Sequence, residues 1–178
     1  MRRGKMKEYQ FANQAEMKAY IAANHPQEPF VWRTNKDYYA AYSAGLRSYD
    51  RMNFRKSIIQ HNHALTFNPV GIASRFELAE CYIRLFEYTK AKAALLAAAP
   101  YLIKKRDIYN FYQRLGCIAY ESGQYRVAAA CLLYSTHFGS IQSTARQLLC
   151  LITESEDPSA LKIDVRKTLK DNNIPILK

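Results

Sequence analysis

From Phe11 to Asn24, Ala12, Ala15, Ala19, Tyr20, Ala22 and Ala23 recur with charged residues between them, the spacing of an amphipathic helix that Asn24-His25-Pro26 ends. Pro29-Phe30-Val31-Trp32 then reads as an extended lead-in, with Thr34 or Asn35 as the N-cap of the next helix. Trp32 is expected to pack against that helix. Toward the other end, Ile141 to Ile152 continues as a helix with Leu148, Leu149, Leu151 and Ile152 turned inward. Glu154 to Pro158 forms a loop, and Leu161, Val165 and Leu169 sit at helical spacing within Ser159 to Lys170. Ile174-Pro175-Ile176-Leu177 is an apolar tail expected to lie on the preceding helices.

Between these flanks one pattern is written three times. Gly45 and Ala79, Phe54 and Tyr88, and Ser57 and Ala91 are each 34 positions apart. From Ala79 to Gly116, Tyr88 to Tyr125 and Ala91 to Ala128 the step is 37, so three extra residues sit in one connection. A period of this length denotes a repeat that cannot bury its apolar face alone and stacks on its neighbours. The small residues let two helices approach closely, and the aromatics are expected to plug the space between them. The chain therefore divides into a lead-in at 1–37, repeats at 38–71, 72–108 and 109–142, and capping helices with the tail at 143–178.

The third repeat carries the fullest set: Tyr112-x2-Leu115-Gly116, then Gly123-Gln124-Tyr125-x2-Ala128. This resembles the tetratricopeptide repeat, and the resemblance extends from residue 38 to about 140. Departures are Ala41 and Ser48 in the first repeat where aromatics are usual, Pro100 ahead of its expected place, and Phe138-Gly139 instead of a closing proline. The fold implied is all-α, a right-handed α-solenoid of three helix pairs with a helical cap at each end. The resemblance further implies that the first helix of each repeat lines a concave groove. The groove places hold Tyr39, Tyr42, Leu46 and Tyr49, then Ala73, Phe76, Glu80 and Ile83, then Asn110, Gln113, Cys117 and Tyr120. Such an aromatic surface marks a protein-binding site, unless the caps or the tail fill part of it. Of the residues with which related repeats clamp a terminal carboxylate, only Arg114 has a counterpart, against Tyr42, Leu46 and Asn110, so that ligand is not expected.

Composition narrows the reading. At 178 residues, 49% hydrophobic and 23% charged, the chain belongs among globular domains rather than disordered segments. Its net charge of +11 is spread along the sequence, without the long basic block of a dedicated nucleic-acid binder. Arg51, Arg55, Lys56, Lys90, Lys92 and Lys104-Lys105-Arg106 nevertheless fall near the second helices. There they read as solvated charge or as a face for an acidic partner. No apolar stretch approaches the ~20 residues of a membrane span, no signal peptide is visible, and cytoplasmic residence is expected. Cys81, Cys117, Cys131 and Cys150 lack metal-ligand spacing and read as free thiols.

Little chemistry is offered. On a helix His61 and His63 point roughly 200° apart and cannot share an ion, so the His61-Asn62-His63 run reads as surface polarity. There is no glycine-rich phosphate loop, and no metal or cofactor is expected. Glu80 with Cys117 is the one pairing that could carry a reaction. The reading is therefore a non-catalytic scaffold or adaptor holding a peptide or protein segment in the tyrosine-lined groove. It is similar in this to small bacterial proteins built from a few such repeats. The alternatives are a secretion-type chaperone, or nucleic-acid or ribonucleoprotein association through the basic outer surface.

Overall fold

The computed structural model describes residues 36–102, 104–139 and 163–177. Within them the chain is all-α. The helices are α1 (Lys36–Asp50), α2 (Phe54–Phe67), α3 (Ile72–Arg84), α4 (Tyr88–Leu96), α5 (Lys105–Glu121), α6 (Tyr125–Ser135) and α7 (Val165–Asp171), with a 3₁₀ turn at Ala99–Tyr101. No described residue is in a strand, and no described helix is long and apolar enough to cross a membrane. The expected helix at residues 11–24, the Trp32 lead-in, Cys150 and the expected helix at 141–152 lie outside the described residues.

Consecutive helices pack on one another: α1 on α2, α3 on α4, α5 on α6, with α2 against α3, α4 against α5, and α7 against α6. The tightest packing is where the sequence places its small residues. A Cβ added at Gly45 would lie 2.6 Å from the His61 ring, and one at Gly116 would lie 2.8 Å from Leu132. Ala79 and Leu95 hold the corresponding places in the middle pair, both fully buried. Ser57, Ala91 and Ala128 are likewise at 0% exposure. Ser57 also ties three helices together. Its hydroxyl donates to the Gly45 carbonyl at 2.9 Å and accepts from the Cys81 thiol at 3.2 Å.

The turns inside the three pairs are built alike. Asn53 N–H donates to Ser48 O (2.9 Å), Glu87 N–H to Tyr82 O (2.9 Å) and Gln124 N–H to Ala119 O (2.7 Å). This six-to-one bond closes a helix when the residue before the donor is left-handed. That residue is Met52 (φ 57°), Phe86 (φ 60°) and Gly123 (φ 75°), so two of the three turns place a bulky side chain where glycine is favoured. The end of α7 repeats the device with Asn173 (φ 55°) and Ile174 N–H to Leu169 O at 2.9 Å.

Two expectations about packing are overturned. Tyr125 does not plug its helix pair: it is 55% exposed with its ring 5.5 Å from Tyr120, and the side chain that fills the space beside Gly116 is Leu132. His61 is not a surface residue but is fully buried, since it stands where the other pairs place Leu95 and Leu132, while His63 is exposed. The connection before the third repeat also differs. α4 stops after nine residues, the chain passes through the 3₁₀ turn, and α5 begins at Lys105, ahead of the repeat boundary at Tyr109.

The tail is tied down by side chains of the array. Tyr112 Oη donates to Pro175 O at 2.6 Å and accepts from Leu177 N–H at 3.0 Å, while Tyr134 Oη donates to Leu177 O at 2.9 Å. Lys92 Nζ reaches Asn172 O at 3.1 Å. Leu169 and Ile174 are buried within the main core. The tail thus seats on α4, α5 and α6.

Candidate functional site

The groove residues lie on α1, α3 and α5, and side-chain contacts join these helices in that order. At the α1–α3 end, Tyr49 is the link. Its hydroxyl donates to Glu80 Oε1 at 3.4 Å and accepts from Arg84 Nε at 3.0 Å, and Arg84 also pairs with Glu80 at 3.6 Å. The Tyr49 ring rests edge-on against Phe54, 5.3 Å between centroids. Between α3 and α5 the link is Arg114, whose guanidinium lies over the Phe76 ring at 5.1 Å. A cation held on an aromatic face retains its charge while losing part of its water.

Charge is crowded between these links. Burial raises the Glu77 carboxyl above the usual carboxylate range, Arg114 opposes that, and Glu80 and Asp50 add to it. Burial likewise raises the Cys117 thiol, with Glu80 and Glu121 acting in the same direction and Arg114 against. A nucleophilic cysteine needs the reverse shift, so the Glu80 and Cys117 environment holds a protonated thiol. Among the described residues no group of three His, Cys, Asp or Glu side chains is placed to hold a metal ion.

The remaining groove residues divide. Tyr39 is 40% exposed, while Leu46, Ile83, Asn110 and Tyr120 are half-buried at the surface. Tyr42 is drawn into the first pair, stacked on Tyr38 at 5.9 Å and edge-on to His61 at 5.4 Å. Burial foremost, then the negative charge of Glu77, pushes its hydroxyl up to about 12. Phe76 is 7% exposed and belongs to the core beneath Arg114, not to a contact surface. Gln113 is turned toward α6, donating to the Ser135 hydroxyl. The predicted groove residues that neither join the core nor turn into a helix pair are thus fewer than the repeat positions imply: Tyr39, Leu46, Tyr49, Glu80, Ile83, Asn110, Arg114 and Tyr120.

Two members escaped the sequence reading. Arg84 stands four places after Glu80 on one helix face, a spacing that announces the pair. Glu77 is grouped with Arg114 and Asp50 from two other helices, and no sequence spacing encodes that.

Acidic residues are segregated among the six helices of the pairs, whereas basic residues occur on all six, Lys36, Arg47, Arg75, Arg84, Lys105, Arg106 and Arg114 lying on α1, α3 and α5. Asp37, Asp50, Glu77, Glu80, Asp107 and Glu121 all lie on α1, α3 or α5, whereas α2, α4 and α6 contain Arg55, Lys56, Lys90, Lys92 and Arg126 and no acidic residue. Lys90 is held by Glu87 from the preceding turn at 2.7 Å. Arg55, Lys56 and Arg126 are exposed.

Compared with known proteins, the chain matches no protein-family model, no curated protein and no solved structure.

Proposed function

We propose that residues 36–139 form a tetratricopeptide-like, right-handed array of three helix pairs, and that the array is a non-catalytic protein-interaction module. The repeat assignment is supported by equivalent small residues, equivalent turns and the 34- and 37-residue steps that relate them. The observation that carries the functional reading is the surface across α1, α3 and α5. Tyr49 bridges Glu80 and Arg84 there, Arg114 covers Phe76, and half-exposed tyrosines and aliphatics surround them. Rigid aromatics beside fixed charges favour capture of an extended or helical segment of a protein partner, the aromatics supplying area and the charges register.

The test is site-specific photo-crosslinking from Ile83 and, as a control, from Arg166 on α7. A partner crosslinked from Ile83 alone, lost in Tyr49→Ala with Arg84→Ala and retained in high salt, is the expected outcome. Equal crosslinking from both positions would defeat the reading.

The lack of acidic residues on α2, α4 and α6, where Arg55, Lys56 and Arg126 stand exposed, favours a second reading, an acidic partner on these helices, nucleic acid included. That partner would be released by salt and would be unaffected by the Tyr49 and Arg84 changes.

A further inference from the structure

The junction between the second and third helix pairs departs from the first junction at residues that the repeat register makes equivalent. Tyr82 on α3 corresponds to Ala119 on α5 and Leu85 to Ser122, each 37 positions on, and Ile58 on α2 corresponds to Lys92 on α4, 34 positions on. At the first junction the equivalent position carries the half-buried Tyr82 ring, with Lys90 over it at 5.8 Å. At the second, a methyl group and a hydroxyl replace the ring and the isobutyl group. The result is a cleft of about 220 Å³ between α4, α5 and α6.

Its walls are of two kinds. Leu115, Ile118, Val127 and Ile174 of the tail provide an apolar lining, and Lys92 and Thr89 of α4 provide polar groups. Lys92 is half-buried and has no carboxylate within 4.0 Å among the described residues; its ammonium donates to the neutral carbonyl of Asn172. An ammonium group has three protons to donate, so others remain for a ligand. Ser122 is already satisfied, its hydroxyl donating to Ile118 O at 2.7 Å. The cleft therefore presents one cation and a hydrocarbon lining, with Tyr88, Thr89 and Gln124 as its neutral polar groups. Its volume is below the roughly 300–1,000 Å³ of sites for drug-sized ligands.

We propose that this cleft binds a small amphiphile with a single carboxylate, its short acyl body against Leu115, Ile118 and Val127 and its head on Lys92. The charge complementarity is specific: a neutral body alone leaves Lys92 unpaired, and a polyanion alone leaves the hydrocarbon lining in water. This site lies apart from the α1, α3 and α5 surface and does not depend on the function proposed for it.

Calorimetric titration of the full chain with monomeric decanoate, and separately with decanol, tests the proposal. The expected result is saturable binding of one decanoate per chain, weakened about tenfold in Lys92→Met and by a similar factor on replacing decanoate with decanol. Ala119→Tyr, which restores the residue of the first junction, is expected to abolish binding. Lys92→Met also removes the bond to Asn172 O, so its melting temperature is checked alongside, and the decanol comparison tests the head-group contact in the wild type even where Ala119→Tyr fails to fold. Absence of saturable decanoate binding by the wild type, or equal affinity in folded Lys92→Met, would overturn the proposal.

Discussion

The first and third helix pairs solve one packing problem with opposite chemistry. In each, a glycine on the first helix receives a side chain from the second: His61 against Gly45, and Leu132 against Gly116. Both incoming side chains are at 0% exposure, as is Leu95 at the same place in the middle pair. In the third pair the incoming side chain is hydrocarbon. In the first, neither ring nitrogen of His61 has a hydrogen-bond partner, and burial lowers its pKa to about 4. The recurring pattern thus specifies a volume and leaves polarity free, and the first pair carries a polar group that the third does without.

The largest consequence is acid sensitivity confined to the first pair. His61 titrates near 6.5 in the unfolded chain and near 4 when folded, so the unfolded state binds more protons between those values. Stability falls as pH drops from about 6.5 toward 4, by an amount on the order of 3 kcal/mol from this residue, and flattens below. Denaturant melts of wild type and His61→Leu across that window measure the difference directly. The variant should lose this part of the slope and, at pH 7, gain about 1–3 kcal/mol because two unpartnered polar atoms leave the core. Parallel pH profiles for the two proteins would show that the imidazole is solvated after all and would erase the contrast between the pairs.

That contrast was only half legible in the sequence. The positions of Gly45, Ala79 and Gly116, and of Ser57, Ala91 and Ala128, were readable because close helix approach tolerates few residue types. His61 reads as a surface residue beside Asn62 and His63, which are exposed, and polarity at one place on a helix says nothing of depth until the facing residue is known. For the same reason the repeat register assigns Phe76 to a binding surface: the guanidinium that covers it comes from Arg114 on another helix. The tail was anticipated as apolar cover, but its anchors are hydroxyls of Tyr112 and Tyr134, and a tyrosine in a repeat motif does not announce which backbone it will bond.

A smaller test probes the shape of the contact and not its polarity. Gly45→Ala drives a methyl group to 2.6 Å from a rigid ring, whereas Gly116→Ala meets Leu132, which has rotamers to use. Overpacking of this kind costs about 1–3 kcal/mol, less the gain of roughly 1 kcal/mol in helix propensity. Gly45→Ala should therefore lower the melting temperature more than Gly116→Ala. Adding His61→Ala should recover most of the loss at Gly45, a coupling that a double-mutant cycle reads out. Additive effects would mean that the two side chains do not share the space.

The third pair has a support that the first lacks among the described residues, the tail held by Tyr112. Removing its hydroxyl strands the Pro175 carbonyl and the Leu177 amide together, and Tyr112→Phe should cost about 1–2 kcal/mol. Amide exchange separates this loss from a general one, since protection should fall at Leu177 and α7 while the α1–α2 amides keep theirs.

The turns offer the finest comparison, because their hydrogen bonding is the same and only the left-handed residue changes. Gly123 accepts a positive φ without penalty, while Met52 and Phe86 hold it with side chains 78% and 76% exposed, so no burial offsets the strain. Replacing either with glycine relieves the clash between Cβ and backbone but frees the unfolded chain as well. The two effects leave a net gain of about 0.5–1 kcal/mol for Phe86→Gly. The converse change, Gly123→Phe, should cost a similar amount, and measuring both gives two independent readings of one strain. If Phe86→Gly is instead destabilising, the Phe86 ring, 6.4 Å from Tyr88, contributes a packing interaction larger than the strain it imposes.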